Sequence, residues 1–326
     1  MRFINFIKLA IPALLVLSVF NCSKDSEKVT NPITAGQPEY SLVFDHGNGE
    51  LCYYPRISSN GRYLAFEREE IVSPPGYVAH IWVYDMSSGE ARKLTANPAE
   101  GYYDDRNLRF AEADSVIYFL RTHWHLDGSY ERTLCRIPLH GSEEDVEQLS
   151  DGGMHIYCFD LMSHDSRLLI AYCSQDRLDY HTGFLNVETG NITLLQHLAG
   201  QKHNCFVSLP DGSGFIASTG LSGSDLFTYK LTRHSFDAQP SEQFTFPNLI
   251  YLVWVLSINP EGDRLLVHQG VCTKSLTHSL PLLGGSATQL LTEYSLPRDA
   301  FWGPDKYIYF TIDGDVMRYG PFNKYS

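Results

Sequence analysis

The chain has 326 residues, of which 43% are hydrophobic and 13% aromatic, and it carries a formal net charge of −13. No run of Lys or Arg is longer than a pair, so the charge pattern argues against nucleic acid or an anionic membrane surface as a partner. The length alone suggests about two domains, while the abundance of aromatic and apolar residues is typical of an all-β core.

The first 22 residues have the features of a targeting segment. Arg2 and Lys8 flank its start, the apolar run of residues 9–20 is too short to span a bilayer, and Cys22 follows. The segment resembles a bacterial lipoprotein signal, in which the Cys becomes the acylated N-terminus. Such signals usually have Gly, Ala or Ser where this chain has Asn21. The alternative is an ordinary secretory signal with an incidental Cys.

A polar stretch, residues 23–39, follows the targeting segment. A polar composition without hydrophobic periodicity predicts a flexible tether. The sequence therefore predicts three parts: a lipoprotein signal peptide at 1–22, a tether at 23–39 and a folded domain at 40–326.

A repeated β-pattern fills the folded domain. Its clearest copy, residues 54–95, predicts four short strands, with hairpin turns at Asn60-Gly61 and Ser88-Gly89. A turn residue followed by a bulky alternating strand recurs every 44 to 54 residues, at Asn60, Asp114, Asp165, Asp211, Glu261 and Asp305. A β-repeat of this period predicts an all-β fold, a six-bladed β-propeller of four-stranded antiparallel blades.

Ring closure follows from a count of predicted strands. The last blade, residues 299–321, contains only three, and one additional strand at residues 40–44 precedes the first blade. Because an open sheet edge invites aggregation, we predict that residues 40–44 form the outer strand of the last blade and close the ring. The alternative is an unpaired strand on the surface.

The repeat also resembles known propellers. Residues 54–95, with the run HIWVYDMSSGEARKLT and the preceding SSNGRYLAF turn, resemble the WD-repeat-like repeats of TolB-type propellers and, in related form, the propeller domains of prolyl oligopeptidases. The resemblance covers residues 40–321 and implies a periplasmic or surface-facing propeller that binds a protein or a small ligand. Neither the α/β domain of TolB nor the hydrolase domain of the peptidases is recognisable, so the partners of those proteins are not transferred.

Candidate ligand-binding residues occur where each inner strand begins, beside the connections between second and third strands. Aromatic and polar side chains around such a mouth suit carbohydrate or peptide recognition; the alternative is a polar mouth that only holds channel water. The predicted set comprises Tyr53, Arg106, Asn107, Tyr157, His203, Asn204, Trp254, Arg298 and Asp299, with Trp124 on a neighbouring loop.

Long loops are predicted on the same face, where binding residues concentrate on a rigid scaffold. They span residues 69–80, 122–132, 174–181 and 269–278. Tyr77, Trp124, Tyr130 and Tyr180 are the aromatic residues on these loops.

Metal chemistry is the other candidate for this face. His123, His155 and His203 fall near it, and imidazoles from different blades can hold a divalent ion; oligogalacturonate lyases, built on a related propeller, have a three-His metal site. The sequence contains no His-Glu-x-x-His or Cys-x-x-Cys run and no Gly-x-Ser-x-Gly elbow. We therefore predict a structural role for each His and no metal, cofactor or catalytic residue.

Six cysteines besides Cys22 are scattered along the blades without the spacing of a disulfide framework. Cys158 and Cys205 occupy similar places in neighbouring inner strands, where buried thiols pack as small apolar residues. We predict that both belong to the core.

The sequence as a whole predicts a secreted, lipid-anchored, monomeric propeller that serves as a binding or scaffold module of the bacterial cell envelope. Its expected location is the periplasm or the cell surface, with the outer membrane as the expected site of the anchor. Its expected partner is an envelope protein, a peptide or a glycan, and it meets the membrane only through the anchor. One alternative is a metal-dependent polysaccharide-processing enzyme resembling oligogalacturonate lyase. Another is a structural envelope component without a ligand.

Overall fold

The computed structural model describes residues 39–47, 50–72, 76–111, 113–151, 153–162, 166–174, 179–220, 229–237, 242–243, 253–271, 274–282, 288–291 and 299–322. These residues form twenty-four strands in six four-stranded antiparallel sheets. The predicted fold class, an all-β six-bladed propeller, is confirmed.

Each sheet is one blade, and the blades follow the order of the chain from inner to outer strand. The first strand, β1 (Glu39–Phe44), precedes blade 1. Blade 1 contains β2 (Cys52–Ile57), β3 (Tyr63–Val72), β4 (Gly76–Asp85) and β5 (Glu90–Lys93); blade 2 contains β6 (Tyr102–Phe110), β7 (Val116–Trp124), β8 (Tyr130–Pro138) and β9 (Glu147–Gln148); blade 3 contains β10 (Met154–Leu161), β11 (Arg167–Ser174), β12 (Tyr180–Asn186) and β13 (Ile192–Leu194). Blade 4 contains β14 (Lys202–Ser208), β15 (Gly214–Gly220), β16 (Tyr229–Ser235) and β17 (Glu242–Gln243); blade 5 contains β18 (Val253–Ile258), β19 (Arg264–Val271), β20 (Lys274–Pro281) and β21 (Thr288–Leu291); blade 6 contains β22 (Phe301–Trp302), β23 (Ile308–Ile312) and β24 (Asp315–Gly320).

Helical structure among the described residues consists of two single 3-10 turns, at Glu143–Asp145 and Gln196–Leu198. Neither has the length or the apolar character to cross a bilayer, and the described residues contain no other helix.

The second strand of each blade is buried on both faces, because each sheet is covered by a neighbour on either side. In β7, Phe119 and Leu120 are 0% and 2% exposed. Consecutive side chains of a strand point to opposite faces, so Phe119 joins a core cluster with Ala65 of blade 1 while Leu120 joins one with Ile156 of blade 3. A run of apolar residues in this strand therefore builds two separate inter-blade cores.

The predicted ring closure is also confirmed. β1 is the outer strand of the last blade and pairs antiparallel with β24, with Tyr40 opposite Tyr319. Their rings stack at 4.5 Å between centroids. Phe44, at the other end of β1, packs against Phe66 at 4.8 Å and Tyr84 at 5.1 Å. The closing strand thus contacts blade 1 as well as blade 6.

Three of the predicted long loops are wrong as loops. Residues 69–80 belong to a hairpin in which β3 and β4 stay paired as far as Val72 opposite Gly76, and β7 and β8 stay paired as far as Trp124 opposite Tyr130. The loop predicted at residues 269–278 is a hairpin in which β19 and β20 stay paired as far as Val271 opposite Lys274. Cross-strand side-chain pairs extend each ladder beyond the blade. The face on which the inner strands begin therefore carries protruding hairpins.

A hydrogen-bonded turn joins neighbouring blades on the opposite face, where first and second strands connect. Asp114 of blade 2 accepts hydrogen bonds from the Ser59 backbone N–H at 2.7 Å, the Ser59 hydroxyl at 2.6 Å and the Asn60 N–H at 3.0 Å. Asp114 and Asn60 are two of the repeat anchors, so these residues tie one blade to the next. A third anchor, Asp165, lies outside the described residues.

The five cysteines of the described part of the chain are free. Cys158 belongs to the core cluster between blades 3 and 4, and Cys205 packs against that cluster, in agreement with the prediction. Burial raises the pKa of both thiols. Cys272 lies outside the described residues.

Candidate functional site

Every inner strand from blade 1 to blade 5 contains a β-bulge. The pairing with the second strand shifts between Tyr53 and Arg56, Arg106 and Arg109, Ile156 and Cys158, His203 and Cys205, and Val255 and Ser257. A bulge leaves a residue unpaired and redirects its side chain. The repeated bulge therefore decides which residue of each inner strand faces the centre of the ring.

Two cavities lie between the inner strands along the centre of the ring. The upper chamber, nearer the beginnings of these strands, has a volume of about 230 Å³ and is lined by Tyr54, Arg56, Asn107, Arg109, Tyr157, Cys158, Phe159, Asn204, Cys205, Val255 and Leu256. The lower chamber, of about 340 Å³, shares Arg56, Arg109 and Leu256 and also contacts Ser59, Asp114 and Asp160.

The structure brings some of the predicted mouth residues together and separates others. Asn107, Tyr157 and Asn204 line the upper chamber. Tyr54 takes the place expected for Tyr53, because Tyr53 remains paired with the second strand, opposite Glu67, while Tyr54 lies in the bulge.

His203 lies inside blade 4 instead of at the mouth. It is 0% exposed, its Nδ1 lies 2.9 Å from the Thr182 hydroxyl, and its ring contacts His234 at 4.8 Å and Phe215 at 5.6 Å. Burial, reinforced by His234, lowers the pKa of His203 to about 3. The bulge between His203 and Cys205 turns Asn204 towards the upper chamber.

Of the remaining predicted residues, Trp124 is described by the structure. Trp124 ends β7 and is half-buried against Tyr130, with 4.7 Å between ring centroids; it is not the freely exposed loop residue that the sequence suggested. The side chain of Trp254 and the whole of Arg298 lie outside the described residues, as does Cys22.

Buried carboxylates hold two of the bulges. Tyr54 and Asn107 have positive φ values of 49° and 60°, a conformation that non-glycine residues adopt rarely. The Tyr54 N–H donates to Asp299 Oδ2 at 3.0 Å, and the Asn107 N–H donates to Glu67 Oε1 at 2.6 Å. Each carboxylate comes from the preceding blade, so a hydrogen bond across the blade boundary offsets the backbone strain.

The same carboxylates have strongly altered acidity. Burial, only partly opposed by Arg106, raises the pKa of Glu67 to about 8. Burial also raises the pKa of Asp299 to about 6, although Thr311 donates a hydrogen bond to it at 2.6 Å. Arg106 is fully occupied by acids, with Asp104 at 2.9 Å and Glu69 at 3.0 Å. The sequence predicted Arg106 and Asp299 as ligand-binding residues at the mouth. In the structure Asp299 binds the backbone N–H of Tyr54, and Arg106 pairs with Glu67, which binds the backbone N–H of Asn107.

Among the described residues, one group of three metal-type ligands has its ligand atoms within 4.8 Å of one another: Asp45, His46 and Asp315. There His46 Nδ1 lies 2.6 Å from Asp315 Oδ1, a contact between the end of β1 and the start of β24. The predicted candidates His123, His155 and His203 do not come together within that distance. The three-His arrangement expected of a lyase-like metal centre is therefore not formed by this trio.

Exposed apolar side chains occur at the tips of the protruding hairpins. Ile71 is 80% exposed and Tyr77 62% exposed, and the two are directly opposite in the β3–β4 ladder, so they project on the same side. Leu126, in the turn between β7 and β8, is 77% exposed. These apolar tips belong to blades 1 and 2 and lie on the face on which the inner strands begin. Nothing in the sequence pattern distinguished Ile71 from a core residue.

No protein-family model and no curated protein matches the sequence. Solved structures do. A putative TolB from Agrobacterium tumefaciens has a TM-score of 0.60 at 14% identity, over 88% of this chain and 99% of its own. TolB from Acinetobacter baumannii has a TM-score of 0.51 at 13% identity, over 83% of this chain and 54% of its own.

An oligogalacturonate lyase from Vibrio parahaemolyticus also matches, with a TM-score of 0.51 at 11% identity over 89% of this chain and 98% of its own. At such identities a likeness identifies architecture and leaves activity open. The chain has the fold of a TolB-like six-bladed β-propeller.

Proposed function

We propose that the chain is a binding module of the bacterial cell envelope that holds a protein partner on the face carrying the protruding hairpins. The observation that carries this proposal is the exposed apolar pair Ile71 and Tyr77, which lie opposite each other near the end of the β3–β4 ladder. Single exposed apolar residues are common on any protein. Two in register at the tip of a protruding ladder, with Leu126 on the adjacent hairpin, are typical of an interaction surface.

The charge of this face specifies the chemistry of the partner. Asp45, Glu100, Asp127 and Glu131 are exposed on the same side, whereas Lys93 is paired with Glu70. Together with a net charge of −13, this favours a partner surface that combines Lys or Arg with an apolar anchor, because unlike charges accelerate encounter and like charges oppose it.

The location of the module follows from its N-terminal segment. The apolar run, Cys22 and the polar stretch after them support export and lipid anchoring, with the propeller held near a membrane by the tether. The domain then faces the periplasm or the cell exterior, where its envelope partner is expected.

Site-specific crosslinking in cells tests the proposal. A photo-reactive amino acid at position 77 should capture one defined envelope protein, whereas the same group at Asp211, exposed on the opposite face, should not. With that protein purified, Tyr77→Ser should weaken binding by roughly 30-fold, since an aromatic anchor typically contributes about 2 kcal/mol or more. Equal capture from both positions, or normal binding by the Tyr77→Ser and Leu126→Ser variants, would exclude this face.

A further inference from the structure

Each polar side chain that lines the upper chamber can donate a hydrogen bond, and the carboxamides and phenols among them can also accept one. The chamber contains two guanidinium groups, two carboxamides and two phenols, and none of its described lining residues is a carboxylate: Arg56, Arg109, Asn107, Asn204, Tyr54 and Tyr157. Two guanidinium groups in a described lining without a carboxylate suit a bound anion.

Arg56 lacks a counterion. The residue is 5% exposed, and its Nη1 donates only to main-chain carbonyls, those of Pro55 at 2.8 Å and Asp299 at 3.4 Å. Its Nε has no hydrogen-bond partner among the described residues. The guanidinium also lies over the Phe301 ring at 4.7 Å. Burying a charge without a partner is costly, so this arrangement is stable only if another group compensates it.

The neighbouring acids do not supply that group. Asp299 is bound through Oδ2 to Tyr54 and Thr311, and Glu67 is bound to Asn107 and Arg106. Neither forms an ion pair with Arg56 in the described part of the chain. Burial, followed by repulsion from Arg109, lowers the pKa of Arg56 to about 9, although the charges of Asp299 and Glu67 partly oppose this shift.

The lower chamber, unlike the upper one, has carboxylates among its described lining residues. Asp160 lies there, 3.6 Å from Arg109 Nε, and accepts the Ser208 N–H at 2.7 Å. Asp114 is tied to the turn of blade 1. Among the described lining residues, carboxylates therefore occur in the lower chamber and not in the upper one.

We propose that the upper chamber binds a small oxyanion, a carboxylate or a phosphate carried by a compact polar molecule. Arg56 and Arg109 pair with the anion, and the amides of Asn107 and Asn204 bind its neutral oxygen atoms. At about 230 Å³ the chamber is smaller than the usual range for drug-sized ligands, about 300–1,000 Å³, which limits the ligand to roughly one sugar ring. This proposal does not depend on the partner proposed above.

Calorimetric titration of the folded domain at constant ionic strength tests the proposal. Inorganic phosphate and glucuronate are the probes, and glucose is the neutral match of glucuronate. We expect saturable binding of at least one anion and none of glucose; binding of phosphate alone or glucuronate alone identifies which oxyanion the chamber accepts. If neither anion binds saturably, or if glucose binds as well as glucuronate, the proposal fails.

Variants separate this site from general electrostatics. Arg56→Gln and Arg109→Gln should each weaken anion binding at least tenfold, whereas Arg136→Gln, which removes an arginine of the third strand of blade 2 that is paired with Glu147 at 2.7 Å, should not. Without ligand, Arg56→Gln should melt no lower than the unmodified protein, because the substitution removes an uncompensated buried charge. If Arg56→Gln does not fold, Arg109→Gln and Asn204→Leu carry the test. Unchanged anion affinity in the folded variants would overturn the assignment.

Discussion

The closing strand offers the most direct test of the architecture. Phe44 lies half-buried at the end of β1, between Phe66 at 4.8 Å and Tyr84 at 5.1 Å. Phe44→Ala would remove both ring contacts and leave a cavity where the last blade meets blade 1. Leu42 is two residues earlier in the same strand but 54% exposed, so Leu42→Ala is a matched control.

The size of the effect follows from these contacts. A fully buried Phe→Ala substitution costs about 3–5 kcal/mol, and each aromatic pair contributes about 0.5–1.5 kcal/mol beyond its buried area. Partial burial places Phe44→Ala near the lower end, at about 3 kcal/mol. For a domain of this size each kcal/mol lowers the melting temperature by about 2–4 °C, so we expect a decrease of roughly 6–12 °C. Leu42→Ala should stay within about 0.5 kcal/mol of the parent.

Thermal unfolding of both variants and of two truncations provides the measurement. A chain that begins at residue 39 should match the parent, whereas one that begins at residue 45 loses β1, exposes the β24 edge and should aggregate or lose most of its stability. Equal melting temperatures for Phe44→Ala and Leu42→Ala, or for the two truncations, would refute the role of β1 in closing the ring.

Three further predictions concern charge and anchoring. Arg121→Met should lower the free energy of unfolding by about 3–5 kcal/mol in chemical denaturation. The substitution leaves the 0% exposed Asp105 without the guanidinium that binds it at 2.7 Å and 3.0 Å. A smaller loss in Arg121→Met than in the surface variant Arg62→Met would contradict this. Burial lowers the pKa of His203 to about 3 and that of His234 to about 4. Below about pH 6.5 the unfolded chain therefore binds protons that the folded state does not bind. The free energy of unfolding should consequently fall as the pH falls from 6.5 towards 4. His234→Gln should flatten this pH dependence of the melting temperature, whereas His140→Gln, at an exposed position, should leave it unchanged. Cys22→Ser should release the protein in soluble form or leave its signal uncut, and unchanged membrane fractionation would disprove the lipid anchor.

The repeat period was sufficient to predict the blades and the closing strand, because turn residues and alternating strands are local properties of the sequence. The bulges were not predictable in the same way. A shift of one residue moves a side chain to the other face of a strand. The sequence therefore favoured Tyr53 where the structure places Tyr54 at the chamber, and it grouped His203 with Asn204 although of the two only Asn204 lines the chamber. The shift depends on acceptors in other blades, such as Glu67 and Asp299, which no local pattern reveals.

The hairpins illustrate the same limit. Pro74, Pro75 and Gly76 suggested a loose loop over residues 69–80, yet Ile71 pairs with Tyr77 and the ladder continues to Val72. Turn residues locate the reversal of the chain, but the length of the paired ladder on either side depends on cross-strand contacts. The apolar pair at the tip is consequently visible only in three dimensions.

The carboxylates that cross blade boundaries limit how this protein can be rearranged. Because Tyr54 is held by Asp299 and Asn107 by Glu67, a single blade does not contain all the groups that define its own inner strand. Replacing blade 2 alone by a blade without the bulge would keep the acceptor Glu67 in blade 1 but remove the N–H at position 107 from its place. Glu67 Oε1 would then be buried without this hydrogen bond. Circular permutants cut between blades keep every such pair, since none of these bonds depends on chain connectivity. The transferable unit is therefore an inner strand together with the part of the preceding blade that supplies its carboxylate. For Asn107 that part is the second strand of blade 1, and for Tyr54 it is the residue Asp299 just before the inner strand of blade 6.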